Sequence, residues 1–178
     1  MLQVGENVNI RPLEKRDVDI LQLWDKDPEL SSLMGISIED ALKPEEWYKK
    51  ISSKRNNVLL AIECGSGKLI GDIELTEIAW RSGEAELIVR IGEKDYWGKG
   101  YGRKAINGVL NMAFSQLKLK RIYLRVCSDN IRALRCYKRC GFKIRGKVTR
   151  QKSIYSESED MTLFLMYVEK DAFYKKIH

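Results

Sequence analysis

The sequence predicts an α+β protein of one domain, organised on a central mixed sheet that is mostly antiparallel and flanked by helices. Three observations predict it. Between Val58 and Gly92, three apolar segments are separated by short turns that carry glycine, the pattern of an antiparallel meander. After the third segment comes Tyr96-Trp97-Gly98-Lys99-Gly100-Tyr101-Gly102-Arg103-Lys104, then a long amphipathic pattern from Ala105 to Leu117, then the alternating run Arg121 to Cys127. Strand, helix and strand in that order need a crossover, and so one parallel pairing inside the sheet. Finally, the 178 residues carry no repeat and no linker-like shift in composition, and 20.6 kDa of chain can bury one substantial core.

Taken in order, Asn7 to Leu13 alternates up to a proline and reads as the first strand. Glu14 to Lys26 places Val18, Leu21 and Trp24 at helical spacing, and Asp27-Pro28 breaks the pattern. Residues 28–43 read as irregular, with Met34-Gly35 as a loop. Pro44 to about Lys54 reads as a helix, Glu-rich early and Lys-rich late, in keeping with the helix dipole. Val58 to Cys64 is a buried-type strand, Gly65-Ser66-Gly67-Lys68 a hairpin turn, Leu69 to Ile78 its partner, Trp80 to Gly83 a second turn, and Glu84 to Gly92 the third strand. In the long helix, Ile106, Val109, Leu110, Ala113, Phe114 and Leu117 form one face. After the strand Arg121 to Cys127, Ser128-Asp129-Asn130 opens a helix that holds Ala133, Leu134, Tyr137 and Cys140, and Gly141 caps its end. Phe142 to Arg150 and Met161 to Glu169 are the last two strands, joined by the polar link Lys152 to Asp160.

Composition narrows the ligand. A net charge of +7 and a pI near 9.2 favour something anionic: nucleic acid, a membrane surface or a phosphorylated cofactor. The basic residues are scattered, concentrating only beside the glycine segment and along Arg132 to Arg145. Neither a helix-turn-helix nor an RNA-binding aromatic motif is evident, which argues against nucleic acid. No stretch approaches the roughly 18 apolar residues of a membrane span, and residues 1–10 lack the apolar region of an export signal. A cytoplasmic protein without a membrane partner is expected. Cys64, Cys127, Cys136 and Cys140 then read as reduced thiols. Cys136 and Cys140 lie four apart on a helix but lack companion ligands, so no metal is assigned. The single histidine, His178, excludes a His-based triad and a multi-His metal centre.

Two stretches carry chemistry. At Gly98, Gly100 and Gly102 a strand turns into a helix, leaving main-chain N–H groups free at the positive end of the dipole, a place suited to phosphate. The spacing is neither G-x-G-x-x-G nor the Walker pattern, so the cradle is neither a dinucleotide fingerprint nor a P-loop. The second stretch is Asn130-Ile131-Arg132-Ala133-Leu134-Arg135-Cys136-Tyr137-Lys138-Arg139-Cys140-Gly141-Phe142. Asn130 stands at a strand-to-helix junction, where its amide can cap the helix and still reach a ligand. Tyr137, two turns on, projects from the same side and can deliver a phenolic proton.

Together these stretches resemble the GNAT acetyltransferase superfamily. Its cofactor motif, Gln/Arg-x-x-Gly-x-Gly/Ala, is matched at Gly100 and Gly102, with Trp97 in place of the leading Gln/Arg. Its second motif is matched at Asn130, Ala133, Tyr137, Gly141 and Phe142. The likeness runs from the first strand to the last. It implies a sheet of about seven strands with a splayed parallel pair, in one N-acetyltransferase domain over 1–178 with its core at 8–168. Acetyl-CoA is implied as the acyl donor. The motif from Trp97 through Gly98, Lys99, Gly100, Tyr101 and Gly102 to Arg103 would hold the pyrophosphate on its main-chain amides, with charge from Lys99, Arg103 and Lys104. Main-chain groups of Ile88, Val89 and Arg90 would pair with the pantetheine arm, which Asn130 would meet from the other side. Tyr137 would protonate the departing thiolate. Glu86 is the first candidate for a general base among Glu74, Glu77, Glu84 and Glu86. No Cys–His pair supports an acyl-enzyme, so direct attack by a primary amine in a ternary complex is expected.

For the acceptor, two branches compete. Arg11-Pro12-Leu13…Asp17 and Tyr96-Trp97-Gly98-Lys99-Gly100-Tyr101 look like the ribosomal-protein alanine N-acetyltransferases, favouring a protein or peptide N-terminus. The chain length and Asp72, Glu74 and Glu77 look like the spermidine/spermine N-acetyltransferases, favouring a polyamine or another small amine such as an aminoglycoside. A non-catalytic acyl-CoA-binding regulator is a further alternative, and a homodimer is left open.

Overall fold

A computed structural model of the chain describes residues 2–3, 7–34, 48–49, 53, 55–150 and 161–177. Eight strands form one sheet: β1 (Leu2–Gln3), β2 (Val8–Pro12), β3 (Val58–Cys64), β4 (Leu69–Ala79), β5 (Glu84–Ile91), β6 (Arg121–Cys127), β7 (Lys143–Arg150) and β8 (Met161–Glu169), in the order β1-β2-β3-β4-β5-β6-β8-β7. Every neighbouring pair is antiparallel except β5 and β6. The seven expected strands are all present; β1, two residues long, is too short to leave a periodicity and was not foreseen.

The helices are α1 (Val18–Asp25), α2 (Pro28–Met34), α3 (Tyr101–Ser115), α4 (Ile131–Cys140) and α5 (Lys170–Ile177). The first expected helix starts as a 3-10 turn at Lys15–Asp17 before becoming α1. The segment after Asp27, expected to be irregular, instead forms α2. Asp27 accepts the N–H groups of Glu29 (3.0 Å) and Leu30 (3.1 Å), and Pro28 takes the first helical position, where its missing N–H costs nothing. Met34 therefore belongs to a helix; Gly35 lies outside the described residues. Of the Pro44–Lys54 helix, only Tyr48, Lys49 and Ser53 are described, and the first two are helical. The Lys152 to Asp160 link lies outside the described residues. Helix α5 was also unforeseen; it packs Phe173 onto Phe114 of α3, ring centroids 5.5 Å apart.

Strand alternation sends side chains to the two faces of the sheet. On one face Ile62, Ile70, Ile73 and Leu75 join Ile106, Val109, Leu110, Ala113 and Phe114 of α3, and Leu134 and Tyr137 of α4, in the main core. On the other face Ala61 and Leu69 pack with Leu21 and Trp24 of α1 and Leu30 of α2. That second layer approaches the sheet closely at Gly92, where an added Cβ would fall 2.0 Å from the indole of Trp24.

The parallel pair does not stay paired. Glu84, Ala85 and Glu86 of β5 register with Arg121, Ile122 and Tyr123 of β6, and the pairing stops there although both strands run on. The resulting wedge, open between Leu87–Ile91 and Leu124–Cys127, positions the site.

Candidate active site

The glycine turn lies at the upper end of this wedge. Strand β5 ends at Ile91, a 3-10 turn spans Lys94–Tyr96, and α3 begins at Tyr101. Gly98 has φ +73° and Gly100, the N-cap of α3, has φ +87°. A Cβ on either would meet nothing within 4 Å, so these glycines are required for their left-handed backbone and not for room. The first turn of α3 is closed by the Lys104 N–H to the Gly100 carbonyl at 3.1 Å, which leaves the amides of Tyr101, Gly102 and Arg103 ahead of it without intrahelical acceptors. Fifteen helical residues align their dipoles behind them, and Lys99 and Arg103 are exposed alongside.

Helix α4 forms the other bank. Its N-cap Asn130 uses its side-chain oxygen to accept the Ala133 N–H at 3.1 Å, and Gly141 (φ +102°) ends the helix in the left-handed conformation. Tyr137 is buried with its ring edge-on to Phe142, centroids 5.9 Å apart. Burial, with the neighbouring thiols Cys136 and Cys140 acting in the same sense, pushes the Tyr137 phenol above its ordinary range, so it holds its proton at neutral pH.

One cleft of about 1350 Å³ joins the two banks. The structure brings together on its walls Glu86, Ile88, Val89, Arg90, the whole run Trp97–Arg103, Asn130 and Tyr137; Lys104, also named from sequence for its charge, does not line it. Arg90 has its guanidinium committed elsewhere, to Asp72 at 2.7 Å and to Asp25. Of the four carboxylates named, Glu77 and Glu86 line the cleft; Glu74 and Glu84 do not, and Glu84 is paired with Arg121 at 2.9 Å.

The lower end of the cleft was only half legible. Glu86 is buried and receives Arg125 on both oxygens, with Nε at 2.8 Å. Glu77 sits at the β4 bulge with φ +51° and accepts the Tyr123 hydroxyl at 2.9 Å. Desolvation first, then that hydrogen bond, push the Tyr123 phenol up to about 12. Tyr167 of β8 stacks obliquely on Tyr123 at 5.9 Å and completes this wall. Tyr123 and Arg125 had a signal: in β6 the residues Ile122, Leu124 and Val126 are the buried set, so Arg121, Tyr123, Arg125 and Cys127 share the other face. All four cysteines are free thiols, and Cys127 and Cys136 also line the cleft.

Residues 7–143 match the family model for the acetyltransferase (GNAT) domain. The chain belongs to that family. It is an N-acetyltransferase with acetyl-CoA as its acyl donor, and the residues present fit that donor, since a left-handed glycine turn, a row of free amides and adjacent cations suit a diphosphate. The chain is 28% identical over 170 residues to spermidine N(1)-acetyltransferase of Vibrio cholerae, covering 89% of this chain and 91% of that one. It is 27% identical over 150 residues to spermidine N(1)-acetyltransferase of Escherichia coli K12, covering 81% and 77%. Among solved structures it resembles spermidine N-acetyltransferase from Vibrio cholerae in complex with CoA and spermine, with a TM-score of 0.86 and 26% identity over 96% of this chain and 99% of that one. Among the described residues, no group of three or more His, Cys, Asp and Glu could hold a metal ion, and no helix is long and apolar enough to cross a membrane.

Proposed function

We propose that the acceptor is a polyamine of the spermidine and spermine class, acetylated on a primary amine by direct attack within one N-acetyltransferase domain spanning 1–178. The observation that carries this reading is the pair of carboxylates, Glu77 and Glu86, on the wall of the cleft away from the glycine turn. A chain of spaced ammonium groups needs such partners, and a peptide N-terminus, with one charge, does not. The similarity to relatives named for spermidine supports the same choice. The peptide N-terminus favoured by the Trp97 to Tyr101 run and by Arg11-Pro12-Leu13 is the weaker reading, because those residues belong to the cofactor end and to the scaffold. Arg11 is buried in ion pairs with Asp17 and Glu63, both at 2.7 Å, on the β2–β3 side of the sheet.

When bound, acetyl-CoA supplies an acetyl thioester. The amides from Gly98 to Arg103 would hold its diphosphate, and the main chain of Ile88 to Arg90, which pairs with β4 but has no strand partner on the β6 side, would run beside its arm. Tyr137 gives the departing sulfur a proton, which its burial keeps in place. An attacking amine must first lose its own proton. Glu86 is the candidate to take it. Its ion pair with Arg125 has to open for this, and the Arg125 side chain, 54% exposed, can swing into solvent.

The test is a thiol-release screen of purified protein with acetyl-CoA against spermidine, spermine, aminoglycosides and N-terminal peptides. Turnover concentrated on the polyamines is expected; turnover on peptides alone would restore the other branch. No release with any amine, alongside CoA binding, would indicate a non-catalytic acyl-CoA sensor.

A further inference from the structure

The first position of the cofactor motif carries Trp97 where the family has Gln or Arg, which leaves the turn without that polar side chain. The structure shows what the indole does instead. Its Nε1 donates to the Ile91 carbonyl at 2.6 Å, pinning the ring to the end of β5, and the side chain packs against the second core cluster, the one that holds Trp24 and Leu30. The guanidinium of Arg132, second residue of α4, lies over the pinned ring at 3.5 Å from its centroid. Trp97 belongs to the bank of the glycine turn and Arg132 to the bank of Asn130, so this contact spans the cleft, and both side chains line it.

Arg132 is well placed to receive an anion. Among the described residues it forms no ion pair; its charge is disfavoured by desolvation, and Glu29 acts on it only through space. A guanidinium held over an indole face meets the ring through its π-face, and the N–H groups at its rim remain available to an anion.

We infer that Arg132, held on the face of Trp97, binds the diphosphate of acetyl-CoA from the bank opposite the glycine turn, replacing across the cleft the polar side chain that position 97 lacks. The donor is then gripped from two sides: main-chain amides of α3 on one, a stacked cation from α4 on the other. Trp97 is the platform and Arg132 the contact. This rests on the reading that the Gly98–Gly102 turn holds the diphosphate.

Three donors separate the outcomes: acetyl-CoA, acetyl-dephospho-CoA, which keeps the diphosphate but lacks the 3′-phosphate, and acetyl-pantetheine, which lacks both. Arg132→Ala, a change at an exposed side chain, is expected to raise the KM for the first two about tenfold with kcat held, and to leave kcat/KM for acetyl-pantetheine unchanged. After Trp97→Leu, which removes the platform, Arg132→Ala is expected to add little further loss. Equal loss with all three donors, loss with acetyl-CoA but not with acetyl-dephospho-CoA, or no loss at all overturns the inference. Calorimetry of the unchanged protein checks the underlying reading separately: CoA binding there with an unaffected Arg132→Ala variant refutes only the role of Arg132, whereas no binding to the unchanged protein removes the reading beneath it.

Discussion

The two ends of the cleft are made of different material. At the glycine turn the groups that face a ligand are main-chain amides, fixed by two left-handed glycines and a fifteen-residue helix. At the other end they are side chains that already have partners: Glu86 with Arg125, Glu77 with Tyr123. A main-chain site is ready before the ligand arrives and cannot be retuned without changing the backbone. A site of paired side chains exchanges one partner for another, and a substitution changes its preference without touching the fold. On the proposed reading the donor meets the main-chain end and the amine the side-chain end, so a substitution among the exchangeable partners would shift acceptor preference and leave donor binding in place.

Tyr137 sits between the two ends, and its loss has the largest expected effect. Tyr137→Phe keeps the ring packed on Phe142 and removes only the hydroxyl. A fall of about 100-fold in kcat is expected, with CoA affinity by calorimetry unchanged. Because the folded-state phenol is raised above its ordinary value near 10, it stays protonated from pH 6 to 9, so the ratio of variant to wild-type rate should be flat across that range. A ratio that varies there, or an unchanged kcat, would remove Tyr137 from the proton path.

At the end proposed for the acceptor the effect is smaller and should divide by substrate. Glu86→Gln is expected to raise the KM for spermidine about tenfold, since it removes a buried carboxylate that an ammonium group would pair with, and to lower kcat most at low pH, where the amine holds its proton. The more exposed Glu77→Gln should raise it about fivefold. Neither should alter the KM for acetyl-CoA. If instead both KM values rise together, the two ends are not separable and the comparison fails.

The same division governs what could be read from the sequence. Main-chain sites advertise themselves, because a left-handed residue at a helix start calls for glycine, and Gly98 and Gly100 ahead of the helix are visible without a structure. The long periodicities of β3, β4, β5, α3 and α4 were visible for the same reason: each is a local rule repeated. Elements with no room for repetition were not legible, namely the two residues of β1 and the single Asp27-Pro28 signal that opens α2. The side-chain end of the cleft was legible only by residue type. That Glu86 meets Arg125 and Glu77 meets Tyr123 depends on the parallel registration of β5 with β6 and on the β4 bulge, contacts 39 and 46 residues apart that no local pattern encodes. Arg132 was hidden for a related reason: its meaning depends on Trp97 across the cleft.

The smallest expected effect tests whether the glycine turn is a matter of conformation. Gly92 and Gly100 lie eight residues apart, yet they are glycine for opposite reasons. A Cβ at Gly92 would collide with Trp24 at 2.0 Å, whereas one at Gly100 would meet nothing within 4 Å but would sit at φ +87°. Gly92→Ala must therefore displace the indole, an overpacking cost of about 1–3 kcal/mol; with roughly 2–4 °C of Tm per kcal/mol for a chain of this size, a clear drop in Tm is expected. Gly100→Ala costs about 1–2 kcal/mol of backbone strain, which the turn can relieve by rotating its amides out of line. Its Tm should fall less than that of Gly92→Ala, while its CoA affinity falls more, because relief of the strain and loss of the amide geometry are the same motion. Were Gly100→Ala to lose stability but keep CoA affinity, the turn would be a connection and not a cradle, and the contrast between a main-chain end and a side-chain end would go with it.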